Sequence, residues 1–243
     1  MAVELWNTSL WNDAYLKAYY RLNDATDNTP NPTYGLTNTN SVAFNPAYFD
    51  NGADMGTANT NKYLSIASDL GIAGNSDLTL MTWFKVNTEI TSGVYNILSH
   101  ASNTNSRYFQ VYYDYNGGAR RLVLDASGAY TVTYAITLGT TNWYHIAATR
   151  SVGGNAGILY VNAVNQGSGT LAANTPNVNS FHIGADHTNS SLASAIYDDN
   201  AAFSRVLSAT EISDYYNGNL TPFSHFLPKP MNILQAVERA SRW

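Results

Sequence analysis

Glycoside hydrolysis needs two carboxylates a short distance apart, set at alternating strand positions so that both face one cleft. The chain has four Glu, at 4, 89, 211 and 238, and none lies mid-strand beside a second acid. Glu211 is taken by the helix start described below. Ser-His-Asp chemistry has no support either: there is no G-x-S-x-G elbow, and the five His, at 100, 145, 182, 187 and 225, are scattered. His145 and His182 fall in strand patterns and read as hydrogen-bonded structural residues. His182 and His187 are wrongly spaced for two ligands on one helix, and a His pair alone makes a poor zinc site. With no Cys, thiolate chemistry and disulfides are excluded. The chain is read as non-catalytic.

Stacking and hydrogen bonding are better provided for. The stretch Tyr108–Tyr115 puts Phe109, Val111, Tyr113 and Tyr115 on one face of a strand and Tyr108, Gln110, Tyr112 and Asp114 on the other. The first face is expected in the core. The second pairs aromatic rings with polar tips, which suits sugar rings that stack on aromatics and hydrogen-bond at their edges. Arg107, Arg120 and Arg121 add donors nearby. Tyr108, Tyr112, Asp114, Arg107 and Arg121 are therefore the candidate ligand-binding residues. The competing reading is that tyrosines are ordinary sheet residues, in a chain that has 18 of them.

Composition points the same way. Charged residues are only 12% and apolar ones 44%, so a core can be buried under a surface of Asn, Thr, Ser and Tyr. A net charge of −5 without any Lys/Arg run argues against nucleic acid, which needs clustered cations. No stretch approaches the roughly 20 apolar residues of a membrane span.

The elements that must position these residues are legible from alternation and turn chemistry. Strands are expected at Tyr15–Leu22, Lys62–Ala67, Leu78–Val86, Tyr95–Ser99, Tyr108–Tyr115, Arg121–Asp125, Tyr130–Leu138, Trp143–Arg150, Gly157–Val164, Ser180–Gly184 and Ser194–Arg205. Asn116-Gly117-Gly118, Gly153-Gly154-Asn155 and Asn165-Gln166-Gly167 are the hairpin signals. Residues 23–40 read as loop. One short helix follows the last strand. Ser208 caps it, Glu211 completes a capping box, Leu207 and Ile212 form a staple, and Gly218 supplies the left-handed stop. This is an all-β class: a two-sheet antiparallel sandwich with one short helix.

The pieces AYYRLND (18–24), KYLSIAS (62–68), LTLMTWFKV (78–86), NILSHAS (96–102), RLVLD (121–125), NWYHIAATR (142–150), GILYVNAV (157–164), FHIGAD (181–186) and DDNAAFSRVLSATEI (198–212) stand in this order. In that order the chain resembles the laminin G-like jelly rolls of the concanavalin A-like lectin/glucanase superfamily. The resemblance implies a jelly-roll sandwich with the first and last strands adjacent, and recognition of sugars or surface proteins, often assisted by calcium. It implies a structural Ca2+ at Asp198, with Asn23 and Asp24 on the neighbouring first-strand loop. The other reading of these residues is local capping and a turn. Two departures stand out. The usual Asn-Gly turn after the LYV strand is Asn162-Ala163, so a longer turn is expected, and Asn200-Ala201-Ala202 replaces an apolar pair.

Three segments follow: an N-terminal arm at 1–14, the jelly roll at 15–218, and a Pro-containing linker with a C-terminal amphipathic helix at 219–243. In the last, Ile233, Leu234, Val237 and Trp243 are the expected assembly contacts, since so short a helix needs a surface to pack on. No signal peptide is seen. The expectation is a lectin-like adhesion module made in the cytoplasm and built into a virion or extracellular particle as a homo-oligomer or assembly partner. The alternative is a free-standing carbohydrate-binding module.

Overall fold

The computed structural model describes residues 4–57, 61–102, 107–126, 129–171, 178–190 and 192–220; at 107, 108, 129 and 130 it describes the backbone alone. Two 3-10 turns, Leu5–Asn7 and Ser9–Asn12, precede fifteen strands. These are β1 (Leu16–Tyr20), β2 (Thr37–Thr39), β3 (Ala43–Pro46), β4 (Asn51–Asp54), β5 (Tyr63–Ile66), β6 (Leu78–Val86), β7 (Gly93–Ser102), β8 (Arg107–Asn116), β9 (Ala119–Ala126), β10 (Ala129–Ala135), β11 (Tyr144–Ser151), β12 (Ala156–Val161), β13 (Val164–Thr170), β14 (Ser180–Ile183) and β15 (Ala195–Phe203). One helix, α1 (Ala209–Asn217), follows.

Two antiparallel sheets form a sandwich. The first runs β13-β12-β11-β6-β15-β4-β3, with β1 paired to β15 as expected for the first and last strands; the second runs β10-β9-β8-β7-β14-β5-β2. Period-2 alternation sends one face of each sheet inward. Phe109, Val111 and Tyr113 of β8 meet Phe84 and Tyr197 of the first sheet in the main core. The Tyr197 hydroxyl donates to the Asn96 carbonyl at 2.7 Å, tying the sheets together.

A second core lies on the outer face of the first sheet. Trp83, Met81, Ala147 and Phe203 are covered there by Leu5 and Leu10 of the N-terminal segment and by Ile212 and Tyr215 of α1. The start of α1 follows its sequence signals: Ser208 and Glu211 form the capping box, Leu207 and Ile212 are buried, and Gly218 takes φ 70°. Arg205 donates to both Glu211 (2.6 Å) and Asp13 (2.6 Å), locking α1 to the N-terminal segment.

Four strands, β2, β3, β4 and β13, lie outside the sequence expectations. Their residues, such as NGAD and VNQGSGT, show no apolar alternation because they pair at sheet margins with little core to face. The turn after β12 is also a correction. Asn162 (φ 50°) and Ala163 (φ 64°) make a tight two-residue hairpin closed by the Val161–Val164 pair. Asn162 is held there by the His145 N–H on its side-chain oxygen, so Ala163 adopts the left-handed conformation usually left to Gly. Asn165-Gln166-Gly167 lies within β13 and makes no hairpin.

Candidate ligand groove on the second sheet

The outward face of the second sheet is built on register. Thr37, Ser65, His182, Ser99, Gln110 and Asp125 stand opposite one another across β2, β5, β14, β7, β8 and β9, a single row with a polar side chain on every strand. Alongside it run Asn96, Tyr112 and Val123, and beyond them Asp114 opposite Arg121. None of these belongs to either core cluster.

The face is nevertheless buried along its middle. Ser99 is 0% exposed, Asn96 1%, Asp125 3% and His182 5%, while Thr37 and Thr133 at the margins are exposed. Neighbouring groups cover this row, the Tyr63 ring standing edge-on to His182, so it is a polar trough closed to solvent along its middle.

A bulge sets the trough's chemistry. In β7 the register slips between Asn96 and Leu98, so Ile97 and Leu98 both enter the core. Asn96 and Ser99, three residues apart, consequently share the outer face. Asn96 donates to the Gln110 side-chain oxygen at 3.1 Å. Its own oxygen, the Ser99 hydroxyl and Nδ1 of His182 have no hydrogen-bond partner. Burial pushes the His182 imidazole down to about 4, so it is neutral at pH 7, with one ring nitrogen a donor and the other an acceptor. A buried polar atom left unpaired costs about 1–3 kcal/mol. Three on one face form a hydrogen-bonding surface lacking its counterpart.

The sequence-derived ligand residues divide. Tyr112 and Asp114 lie on this face as expected. Arg121 is there too, but its guanidinium grips Asp114 bidentately (2.9 and 2.6 Å), so the two close one side of the trough as a neutral pair. Arg120 turns elsewhere, to the Ile90 carbonyl and Glu89. The side chains of Arg107 and Tyr108 lie outside the described ones. Sequence reasoning missed Asn96, Ser99 and the outward His182; strict alternation puts Asn96 and Ser99 on opposite faces, and only the bulge at Ile97 brings them together.

The proposed calcium residues do not fit a calcium cage, which takes six to eight oxygens. Asp24 accepts from Thr26 N at 2.8 Å, and Asn23 from Asn51 N at 2.9 Å. Asp198 is buried and accepts from Phe49 N at 2.9 Å. Asp27 is also spent on backbone, taking the N–H groups of Thr29, Thr33 and Tyr34. Among the described residues no three His, Asp or Glu side chains gather as metal ligands. A second bulge, in β15, explains the Asp pair: the register slips between Asp198 and Ala201, with Asp199 at φ 51°. Asp199 thereby accepts from the hydroxyls of Tyr19 and Tyr215 and from Leu5 N. It fastens β1, α1 and the N-terminal segment. Asn200 occupies the place of the expected apolar pair, fully buried with both amide atoms unpaired. The assembly residues Ile233, Leu234, Val237 and Trp243 lie outside the described residues.

Residues 57–213 match a laminin G-type family model described as the concanavalin A-like lectin/glucanases superfamily. The chain belongs to this superfamily. No curated protein matches its sequence. Among solved structures, the superfamily member resembles domain 4 of AbnA, a GH43 extracellular arabinanase from Geobacillus stearothermophilus, in complex with arabinotriose (TM-score 0.65, 17% identity, 83% of this chain and 98% of that one). It also resembles the receptor binding domain of botulinum neurotoxin D (0.63, 14%, 84% and 53%). A third is the botulinum neurotoxin serotype D ligand binding domain in complex with N-acetylneuraminic acid (0.63, 14%, 84% and 51%). The chain spans about half the length of the toxin domains it matches. At these identities the likeness is one of fold. Among the described residues no helix is long and apolar enough to cross a membrane.

Proposed function

We propose that this protein is a non-catalytic, lectin-like jelly-roll module that binds a glycan in the trough of the second sheet. The observation that carries the reading is the set of unpaired, buried atoms, Asn96 Oδ1, Ser99 Oγ and His182 Nδ1, on the outward face of the second sheet. Sugar hydroxyls donate and accept at once, which is what this mixture of amide, hydroxyl and neutral imidazole asks of a ligand. Tyr112 supplies an aromatic surface beside them. The AbnA domain 4 and serotype D structures, both holding saccharides, support a sugar as the class.

A glycan array probed with the full chain and with N96A tests it. Glycan signal on the wild type, lost or sharply reduced for N96A, is the expected result. An empty array, or equal signals, would overturn the reading. Assembly into a larger particle through residues 219–243, the other part of the sequence reading, has its own test. The full chain is expected to run as an oligomer on size exclusion and a chain ending at Gly218 as a monomer.

A further inference from the structure

The pairing of β14 with β7 stops at Ile183 and Leu98, and the first half of β7 continues without that neighbour. A cavity of about 360 Å3 opens there. That volume is within the range of small-molecule sites. Val94, Tyr95 and Leu192 form its apolar side, and Asn61, Thr91 and Ser92 its polar side.

The cavity adjoins the trough. Val94 and Asn96 stand opposite Asp114 and Tyr112 and share the outer face of β7, while Tyr95 between them enters the main core. Two strand residues span about 7 Å, so adjacent units of one glycan can reach both positions. The trough is closed to solvent along its middle, but Thr91 and Ser92 at the cavity are exposed.

The lining is fixed before any ligand arrives. The Tyr95 hydroxyl is hydrogen-bonded to Ser194, whose own hydroxyl donates to the Gly56 carbonyl at 3.1 Å. Opposite, the Asn40 side-chain amide donates to the Asn61 carbonyl at 2.6 Å. Preorganisation of this kind lowers the ordering cost of binding. The Thr91 and Ser92 hydroxyls bond to no other described residue, which leaves both for a ligand.

The lining also carries no charged side chain among the described residues; Lys62 follows Asn61 but is not part of it. The charges at its border are matched. Asp114, opposite Val94, holds Arg121 at 2.6 Å, and Glu89, two residues before Thr91, holds Arg120 at 3.2 Å. An ionic ligand would lose its hydration here without gaining a counter-charge. Hydroxyls and an amide beside an apolar wall suit a neutral sugar, which has hydroxyls at its rim and C–H groups on its faces.

We infer that this cavity is a second subsite for the glycan of the trough, and that the ligand class is a neutral oligosaccharide of two or more units. One unit sits in the cavity, hydrogen-bonded by Thr91, Ser92 and the Asn61 amide and packed on Val94 and Leu192. The next reaches Asn96 and Tyr112. The inference rests on the reading of the trough as a glycan site.

The test is an array of mono-, di- and trisaccharides of glucose, galactose and mannose beside sialylated and uronic acid glycans. It is probed with the full chain, the double variant T91A/S92A and N96A. Wild type is expected to bind a neutral di- or trisaccharide about tenfold more tightly than its monosaccharide, the worth of two hydrogen bonds. T91A/S92A removes only exposed hydroxyls, so its urea midpoint is expected to stay unchanged while the gain with length disappears. N96A is expected to weaken binding at every length. No gain with length in the wild type, a gain retained in T91A/S92A, or signal confined to the acidic glycans would each overturn the inference. In those cases a weakened N96A leaves the trough reading standing. A gain lost in T91A/S92A with N96A binding at full strength would overturn the trough reading, and with it the placement of the second unit.

Discussion

Asn96 and Ser99 stand three residues apart on one strand and face the same way, because the bulge at Ile97 places an extra residue between them. Without it Ser99 would point into the core and Asn96 would lose its neighbour on the outer face. The arrangement leaves Asn96 Oδ1 and Ser99 Oγ buried without partners, a cost in stability of the kind functional sites commonly carry.

Ser99→Ala follows directly. The Ser99 hydroxyl is buried and unpaired, so its removal is expected to raise stability by about 1 kcal/mol while lowering glycan affinity about tenfold. Urea denaturation and a binding titration on the same sample check both halves. A destabilised S99A with intact binding would contradict the assignment.

The Asp pair makes a pH prediction. Burial raises Asp198 to about 8 and Asp199 to about 7, against the hydrogen bonds from Phe49 and from Tyr19 and Tyr215 that pull them down. An unfolded Asp titrates near 4, so the folded chain holds the extra protons between about 4 and those values. The stability they contribute is fully present below about 4 and is lost as pH rises through 7 to 8. Burial lowers His100, His145 and His182, which works in the opposite sense below about 6.5. The comparison is therefore of melting temperatures above neutrality. Wild type is expected to lose stability between about pH 7 and 8.5, and D198N to lose less. Parallel curves would contradict the account.

Gly169 in β13 is pressed against β10 of the other sheet: a Cβ there would sit 1.8 Å from the Thr131 carbonyl oxygen. Backbone cannot give way as a side chain does, so Gly169→Ala is expected to cost about 2 kcal/mol by urea denaturation. No loss would mean that the sheet edges do not meet there.

Legibility in the sequence followed regularity. The two faces of Tyr108–Tyr115 were readable because β8 keeps strict alternation, and Ser208, Glu211 and Gly218 were readable because capping chemistry is local. The bulges at Ile97 and at Asp199 were not, since each depends on a partner strand far along the chain. That is why Asn96 and Ser99 are not recognisable as neighbours, and why the burial of Asp198 against Phe49 is not foreseeable from its position at the start of the last strand. Strands such as β3 and β4 have no apolar pattern of their own and are ordered by pairing at the sheet margin.

The most direct test of the central claim is chemical-shift mapping of the full chain titrated with the strongest glycan from the array. The account predicts that the largest shifts fall on the Asn96 and Gln110 side-chain amides, the Ser99 amide and the His182 ring. Shifts that bypass these four residues, with the glycan bound elsewhere on the domain, would contradict it.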